Sequence, residues 1–409
     1  MQTSPVAAAS GIATDALEPV PLSAQAQRKR THVGFWPSVL FALAVTSITV
    51  GIIWDISWHI SIGRDTFWTP AHMAVYLGGL LGGFTGGWLA LRYTFFPGPN
   101  ARNESVSIFG ARAPLGAWVT MWGAVAMLTS APFDDWWHNA YGLDVRIISP
   151  PHTVLGIGMI AISVGALLVG LAHQNRANDR TGNWLFTYIG AIFVTLGSVF
   201  SMELTFPNLQ HAATFYEACA AVFVLRLVAL GVAGRISWPT TRVATISVGI
   251  QCLATWILPL FHAQPKLAPI FNPVTHMVPP AFPVLIIVPA VGIDLLLRKT
   301  HLTDGPWKRV LLGCILGTVF IATFIPVQWF LAEFLLTPHA DNWFFAGNRY
   351  WGYQNHIDRI WTHKFFRVAK DMDGYDPLTP RAVGFTWLIA SVSSWLGVVW
   401  GGWMKKVQR

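Results

Sequence analysis

Charge is scarce in this sequence. Only 11% of its 409 residues are Asp, Glu, Lys or Arg, against about 25% in a soluble domain. A soluble fold of this length could not cover its surface with so few, because 53% of the residues are apolar. Cysteine is scarce as well. Cys219, Cys252 and Cys314 each fall inside an apolar block, and no CxxC or CxxCH occurs. That removes zinc-ribbon, thioredoxin-like and c-type haem readings. No glycine-rich phosphate loop ending in Lys-Ser or Lys-Thr is present, which removes a P-loop ATPase. No apolar stretch precedes the basic cluster Arg28-Lys29-Arg30, so no cleaved leader is expected.

What the sequence does have is apolar runs of about 20 residues, the length that crosses a hydrocarbon core. The expected fold is all-α, a polytopic transmembrane helical bundle. Ten spans are expected, near 35–60, 71–92, 113–136, 152–173, 184–205, 213–234, 243–262, 277–297, 309–335 and 382–404. The net charge of +8 does not point to nucleic acid. Lys and Arg instead cluster after the even-numbered spans, at Arg92, Arg102 and Arg112, Arg176 and Arg180, Arg235 and Arg242, and Arg298, Lys299, Lys308 and Arg309. With Arg28-Lys29-Arg30 and Lys405, Lys406 and Arg409, this pattern puts both termini on the cytoplasmic side of a bacterial-type inner membrane.

Five regions follow. Residues 1–33 form a disordered cytoplasmic tail, rich in Ala, Ser and Pro. Residues 34–175 form a metal-binding four-helix repeat region, and 176–336 hold further spans. Residues 337–381 form an outer lid or docking segment with Tyr350-Trp351-Gly352-Tyr353 and Asp371-Met372-Asp373-Gly374-Tyr375-Asp376, the last too incomplete for a calcium loop. Residues 382–409 form the last span and a cytoplasmic tail. His32, His173 and His301 then lie inside, and the other ten histidines lie at the outer ends of spans. The 21 tryptophans, many near span ends, read as an interfacial belt.

Two segments repeat. Trp54-Asp55-Ile56-Ser57-Trp58-His59, a loop and Thr69-Pro70-Ala71-His72 align with Phe133-Asp134-Asp135-Trp136-Trp137-His138, a loop and Ser149-Pro150-Pro151-His152. Trp58 meets Trp137, Gly63 meets Gly142, Asp65 meets Asp144 and Gly78 meets Gly158. Two parallel helical-hairpin repeats in the N-terminal half are expected. Asp55 and His59, four apart, share a helix face. Thr69 as cap and Pro70 as first helical residue put His72 in the first turn of the returning helix. Asp55, His59 and His72 then converge, and so do Asp134, His138 and His152. Asp135 is an alternative to Asp134, three residues from His138 rather than four. One carboxylate and two imidazoles suit a first-row transition metal. This ranks ahead of a structural Asp–His bond and of a metal-free proton relay. The two sets are read as two mononuclear sites or one dinuclear centre.

The pattern D-x3-H-x12-H, here Asp55, His59 and His72, resembles the copper motif in the C subunit of the copper membrane monooxygenases, the particulate enzymes that oxidise methane, ammonia and short hydrocarbons. That subunit has a second motif, N-x3-H-x13-H, and Asp134, His138 and His152 have the same spacing, with Asp where the family has Asn. The resemblance covers residues 35–175. It implies copper near the outer face, with dioxygen activation and hydroxylation of a small substrate. It also implies partners: other membrane subunits and a separate cupredoxin-like or other electron-donor protein, besides lipid. Zinc satisfies the same donors.

Weaker candidates remain. Glu203, His211 and Glu217 cluster near the outer ends of the fifth and sixth spans, and Glu333 ends the ninth. Arg226 lies deep in the sixth span and is read as snorkelling toward the inner face. His262 and His276 repeat the His–His spacing of the second motif, but Leu258 stands where the acid should be. They read as a degenerate third hairpin. The competing functional class is a metal-handling or proton-coupled permease, to which repeats and membrane acids also belong. A scaffold subunit with a structural metal is the third.

Overall fold

The computed structural model describes residues 35–63, 67–142, 149–264, 274–300, 305–346 and 376–409. The tail 1–33, Asp65, Asp144, His32, His301, His356, His363 and the motifs at 350–353 and 371–375 lie outside the described residues.

Each expected span contains a helix. These are α1 (Phe35–Ser61), α2 (Pro70–Phe95), α3 (Leu115–Tyr141), α4 (Pro150–Ala177), α5 (Arg180–Phe200), α6 (Ala213–Ala233), α7 (Pro239–Ile257), α8 (Ile287–Lys299), α9 (Pro306–Leu335) and α10 (Pro380–Met404). Pro70, Pro150, Pro239, Pro306 and Pro380 stand in the opening turn, where the missing N–H has no helical partner to lose. Among the described residues, eight helices are long and apolar enough to cross a membrane. The chain is a multi-pass membrane protein. Large side chains such as Phe84, Leu91 and Phe330 point outward from the bundle, as lipid-facing positions require.

Two elements fall outside those eight. Helix α3 runs 27 residues, but it carries Asp134, Asp135 and His138 in its last turns. Helix α8 has only 13 residues, against the 21 expected for that span. Pro279, Pro280 and Pro283 cannot donate helical hydrogen bonds, so 277–286 is not helical. Side chains satisfy its backbone instead. Ser57 Oγ donates to Val278 O at 2.6 Å, Val278 N donates to Ser61 Oγ at 2.7 Å, and Leu285 N donates to Gln328 Oε1 at 3.0 Å. Irregular backbone at membrane depth is tolerated only when it is covered this way.

The first four helices form two antiparallel hairpins, α1–α2 and α3–α4, joined through α2 and α3. Small residues set their separation. A Cβ on Gly78 would lie 2.5 Å from Ala44 O and from an Ile48 side-chain carbon. A Cβ on Gly158 would lie 2.8 Å from Gly123 O and 2.7 Å from a Met127 side-chain carbon. Ala44 and Ile48 stand eleven and seven residues before Asp55; Gly123 and Met127 stand at the same offsets before Asp134. Helix α1 also packs on α4 and α5, which ties the hairpins to the rest of the bundle. At the end opposite Asp55, a two-stranded hairpin, β1 (Val106–Ile108) and β2 (Ala111–Ala113), connects α2 to α3.

In the second half, α10 packs between α6 and α9, and Phe215, Phe324 and Phe320, stacked in turn, with Tyr216 edge-on, fill the core. Asp294 of α8, only 1% exposed, accepts bonds from Thr240 N, Thr241 N and Thr241 Oγ1. It caps the N-terminus of α7, whose orphan donors favour a negative charge.

Candidate metal centres

The first centre forms where α1 ends and α2 begins. Asp55 and His59 lie one turn apart in α1. Gly63 then leaves the helix at φ +94°, a left-handed conformation that glycine adopts without strain. Pro70 opens α2, and Thr69 holds the cap position, although its side chain makes no capping hydrogen bond. His72 is the third residue of α2. Asp55 Oδ2 stands 3.8 Å from His59 Nε2, and Asp55 Oδ1 stands 3.2 Å from His72 Nε2.

The second centre forms in the same way where α3 ends and α4 begins. Gly142 leaves α3 at φ +91°. Ser149 caps α4, its Oγ accepting from His152 N at 3.3 Å. Asp134 Oδ2 stands 3.3 Å from His138 Nε2, and Asp134 Oδ1 stands 3.4 Å from His152 Nε2. The adjacent Asp135 is engaged elsewhere. Asn139 Nδ2 donates to its backbone oxygen at 2.9 Å and reaches its carboxylate at 3.4 Å. The four-residue spacing selects Asp134.

In each centre one donor atom per residue lies within 4.8 Å of the others. Among the described residues these are the two groups of three or more His, Cys, Asp or Glu that could hold a metal ion. Donors bonded to one ion at about 2.0–2.2 Å stand roughly 3–4 Å apart, and the Asp–His distances of 3.2–3.8 Å fall in that range. Asp55 Oδ1 and Asp134 Oδ1 are buried and make no hydrogen bond among the described residues, although an imidazole nitrogen is near each. A buried carboxylate oxygen without a donor is costly, and a shared cation satisfies it. The donor set and its geometry therefore fit a metal ion at both centres.

His138 is further defined by its second nitrogen. Nδ1 lies 3.3 Å from Gly142 O. A carbonyl only accepts, so Nδ1 carries the proton in this contact and Nε2 is the nitrogen that faces Asp134. This is the outer hydrogen bond that metal-binding histidines use to fix their tautomer.

Aromatic rings surround both centres. Trp137 and Tyr141 meet at 4.4 Å beside the second, and Phe67 and Tyr76 at 5.1 Å beside the first. Trp58 Nε1 and Trp137 Nε1 are buried without hydrogen-bond partners among the described residues. The belt assignment passes over both indoles; their aligned places three residues after each aspartate are the signal that sets them apart.

The weaker candidates separate. His211 is fully buried, packs against Trp329 at 4.2 Å and has Nε2 4.0 Å from Glu333 Oε1. Glu203 is exposed on a short turn. Arg226 does not snorkel. It follows a π-helical turn, Ala220–Val224, donates from Nη1 to Val222 O at 2.5 Å and lies over the Phe193 ring at 4.9 Å. The backbone oxygen one turn earlier and the aromatic face hold the guanidinium within the bundle. His262 and His276 are not on helices but face each other across an antiparallel bridge.

No family model, no curated protein and no solved structure matches this chain. The function is therefore argued from the centres themselves.

Proposed function

We propose that this chain is the metal-binding integral-membrane subunit of a copper-dependent oxidoreductase of monooxygenase type. One observation carries the reading: two successive hairpins each gather one aspartate and two histidines around a point, with the residue spacing of the copper motifs in the membrane monooxygenase C subunit. The matched offsets of Ala44 and Gly123, of Ile48 and Met127, and of Gly63 and Gly142 support taking the hairpins as parallel copies of one unit. On this reading the chain crosses the membrane ten times. The basic residues between even and odd spans keep both termini in the cytoplasm, and both centres face outward.

Asp55, His59 and His72 would hold one ion, and Asp134, His138 and His152 the other. Two imidazoles and a carboxylate suit copper, which leads the divalent affinity order, and zinc can occupy the same donors. Copper bound there supplies redox chemistry for dioxygen activation and hydroxylation of a small substrate. The chain's own residues do the rest. Each aspartate offsets cationic charge in a region of low dielectric. Gly142 O orients His138. The rings of Tyr76 and Trp137 pack beside the first and second centres. Electrons would come from a separate cupredoxin-like or other donor protein, with further membrane subunits completing the enzyme.

A second reading, a metal-handling permease, is favoured by one observation. Thr195 Oγ1 and Ser247 Oγ meet at 2.9 Å, and Ser198 Oγ donates to Gln251 Oε1 at 2.8 Å, between α5 and α7. Ser198 and Gln251 also line a cavity of about 50 Å³ beside α1. These groups satisfy one another rather than face an open path, so this reading ranks second.

The test is metal analysis with electron paramagnetic resonance on the purified chain. Copper with nitrogen hyperfine structure is expected, and His59→Ala together with His138→Ala should remove the ions held at the two aspartate centres. A chain that binds no transition metal sinks the proposal. Copper-dependent uptake into liposomes without oxygen consumption selects the permease.

A further inference from the structure

We infer that His262 and His276 form a third, solvent-facing metal site, built on a β-bridge rather than on helix ends and taking a divalent copper or zinc ion through two imidazoles. The inference does not depend on the function proposed above.

Ala263 N donates to Thr275 O at 3.1 Å, and Met277 N donates to Phe261 O at 2.9 Å. These two bonds bracket His262 and His276, which are paired across the bridge without bonds of their own. Such a non-hydrogen-bonded antiparallel pair brings opposed side chains to their closest approach, with Cα atoms about 4.5 Å apart. The flanking Ala263 and Met277 are 3% exposed and pack with Ile53, Trp58 and Ile62 at the end of α1. His262 and His276, with Phe261 and Thr275 beside them, are exposed.

Side-chain geometry adds to this. The imidazole centroids are 4.5 Å apart and the ring planes are tilted by 33°. His262 Nδ1 lies 3.3 Å from Thr275 O, and His276 Nδ1 lies 2.9 Å from Thr275 Oγ1. Both Nδ1 atoms thus turn to the same residue, which leaves both Nε2 atoms on the side away from it. The Thr275 carbonyl only accepts, so His262 carries its proton on Nδ1 and presents an Nε2 lone pair. The Thr275 hydroxyl does the same for His276 when it accepts. Two anchored imidazoles with Nε2 outermost are a two-nitrogen chelate, with the remaining positions open to water or a partner's ligand.

Hydrophobic packing places the site next to the first centre. Trp58, between Asp55 and His59, belongs to the cluster that seats Ala263 and Met277. The bridge is also tied to α1 through Val278, whose N–H and carbonyl meet Ser61 and Ser57. An exposed two-imidazole site there can exchange its ion with solution.

The experiment uses the full-length chain carrying His59→Ala and His138→Ala, so that both aspartate centres are weakened, titrated with Cu(II) or Zn(II) alone. One equivalent is expected to remain. His276→Ala in that background should remove it, and Thr275→Val should weaken it by about 10–100-fold, the range for loss of an outer-shell partner. A background chain that binds nothing, or binds an ion indifferent to His276→Ala, overturns the inference. Should the background chain not fold, the wild-type chain is modified with diethyl pyrocarbonate and read by mass spectrometry. Protection of His262 and His276 by Zn(II) supports the site, and equal modification with and without Zn(II) overturns it. A wild-type chain whose aspartate centres take up no copper while a His276-dependent ion still binds would sink the proposed function and leave this site standing.

Discussion

Gly142 presents its carbonyl oxygen to His138 Nδ1 at 3.3 Å, and it does so from φ +91°, a conformation that L side chains rarely adopt. One residue therefore both ends α3 and fixes which nitrogen of His138 faces Asp134. Gly142→Ala should move that carbonyl. Its expected effect is a loss of metal affinity at the second centre of about 10–100-fold, as for other outer-shell partners. The first centre, on the other hairpin, should keep its ion. Competitive chelator titration of the wild type and the variant measures both at once. Equal weakening of the two ions would show that the variant acts through general unfolding rather than through His138.

The two acids at the end of α3 should behave differently although they are neighbours. Asp134→Ala removes the carboxylate that meets both His138 and His152 and should abolish metal at the second centre. Asp135→Ala removes only a side-chain contact to Asn139 in an exposed position and should leave metal content unchanged. Elemental analysis of the two purified variants decides it, and a reversed result would move the ligand assignment to Asp135.

Much of this was readable in the residues, and the reason is periodicity. Asp55 and His59 at i, i+4, together with a proline that opens the returning helix, leave little freedom in where His72 can go, and the second hairpin repeats the constraint. The four-residue register likewise separates Asp134 from Asp135. The structure departs from such reading where local rules yield to tertiary contacts. Residues 277–286 are apolar enough to pass for part of a span, but three prolines and side-chain bonds from α1 and α9 hold them outside a helix. Arg226 has a snorkelling length and yet stays among Phe193 and Val222, contacts that spacing does not reveal. His262 and His276 repeat a helical-hairpin spacing on a β-bridge, so spacing alone misplaces their backbone.

Close packing at Gly78 positions the first centre as a whole. Its absent side chain lets α2 approach the Ala44 carbonyl, and a Cβ there would come within 2.5 Å of it. Backbone cannot yield as a flexible side chain does, so Gly78→Leu should push α2 away from α1. Overpacking of this kind costs about 1–3 kcal/mol, occasionally more. A lower thermal midpoint and weaker metal binding at the first centre are expected together, read by a thermal melt and chelator titration. A variant with unchanged stability and unchanged affinity would mean that the hairpin spacing does not set the centre.

The clasp between α1 and the non-helical segment offers the sharpest separation of stability from site geometry. Ser61 Oγ accepts from Val278 N at 2.7 Å and donates to Ser57 O at 2.6 Å, two residues beyond His59. Ser61→Ala leaves the Val278 N–H buried without an acceptor, at a cost of about 1–3 kcal/mol. The last turn of α1 then keeps only the Ser57 bond to the segment that carries His276, while α3 and α4 are untouched. The expected result is a lower thermal midpoint with weakened metal at the first centre and full occupancy at the second. Ser61→Thr keeps the hydroxyl and should restore both properties. If Ser61→Ala lowers occupancy at both centres equally, the clasp serves the bundle at large, and the end of α1 is held by its packing against α2 instead.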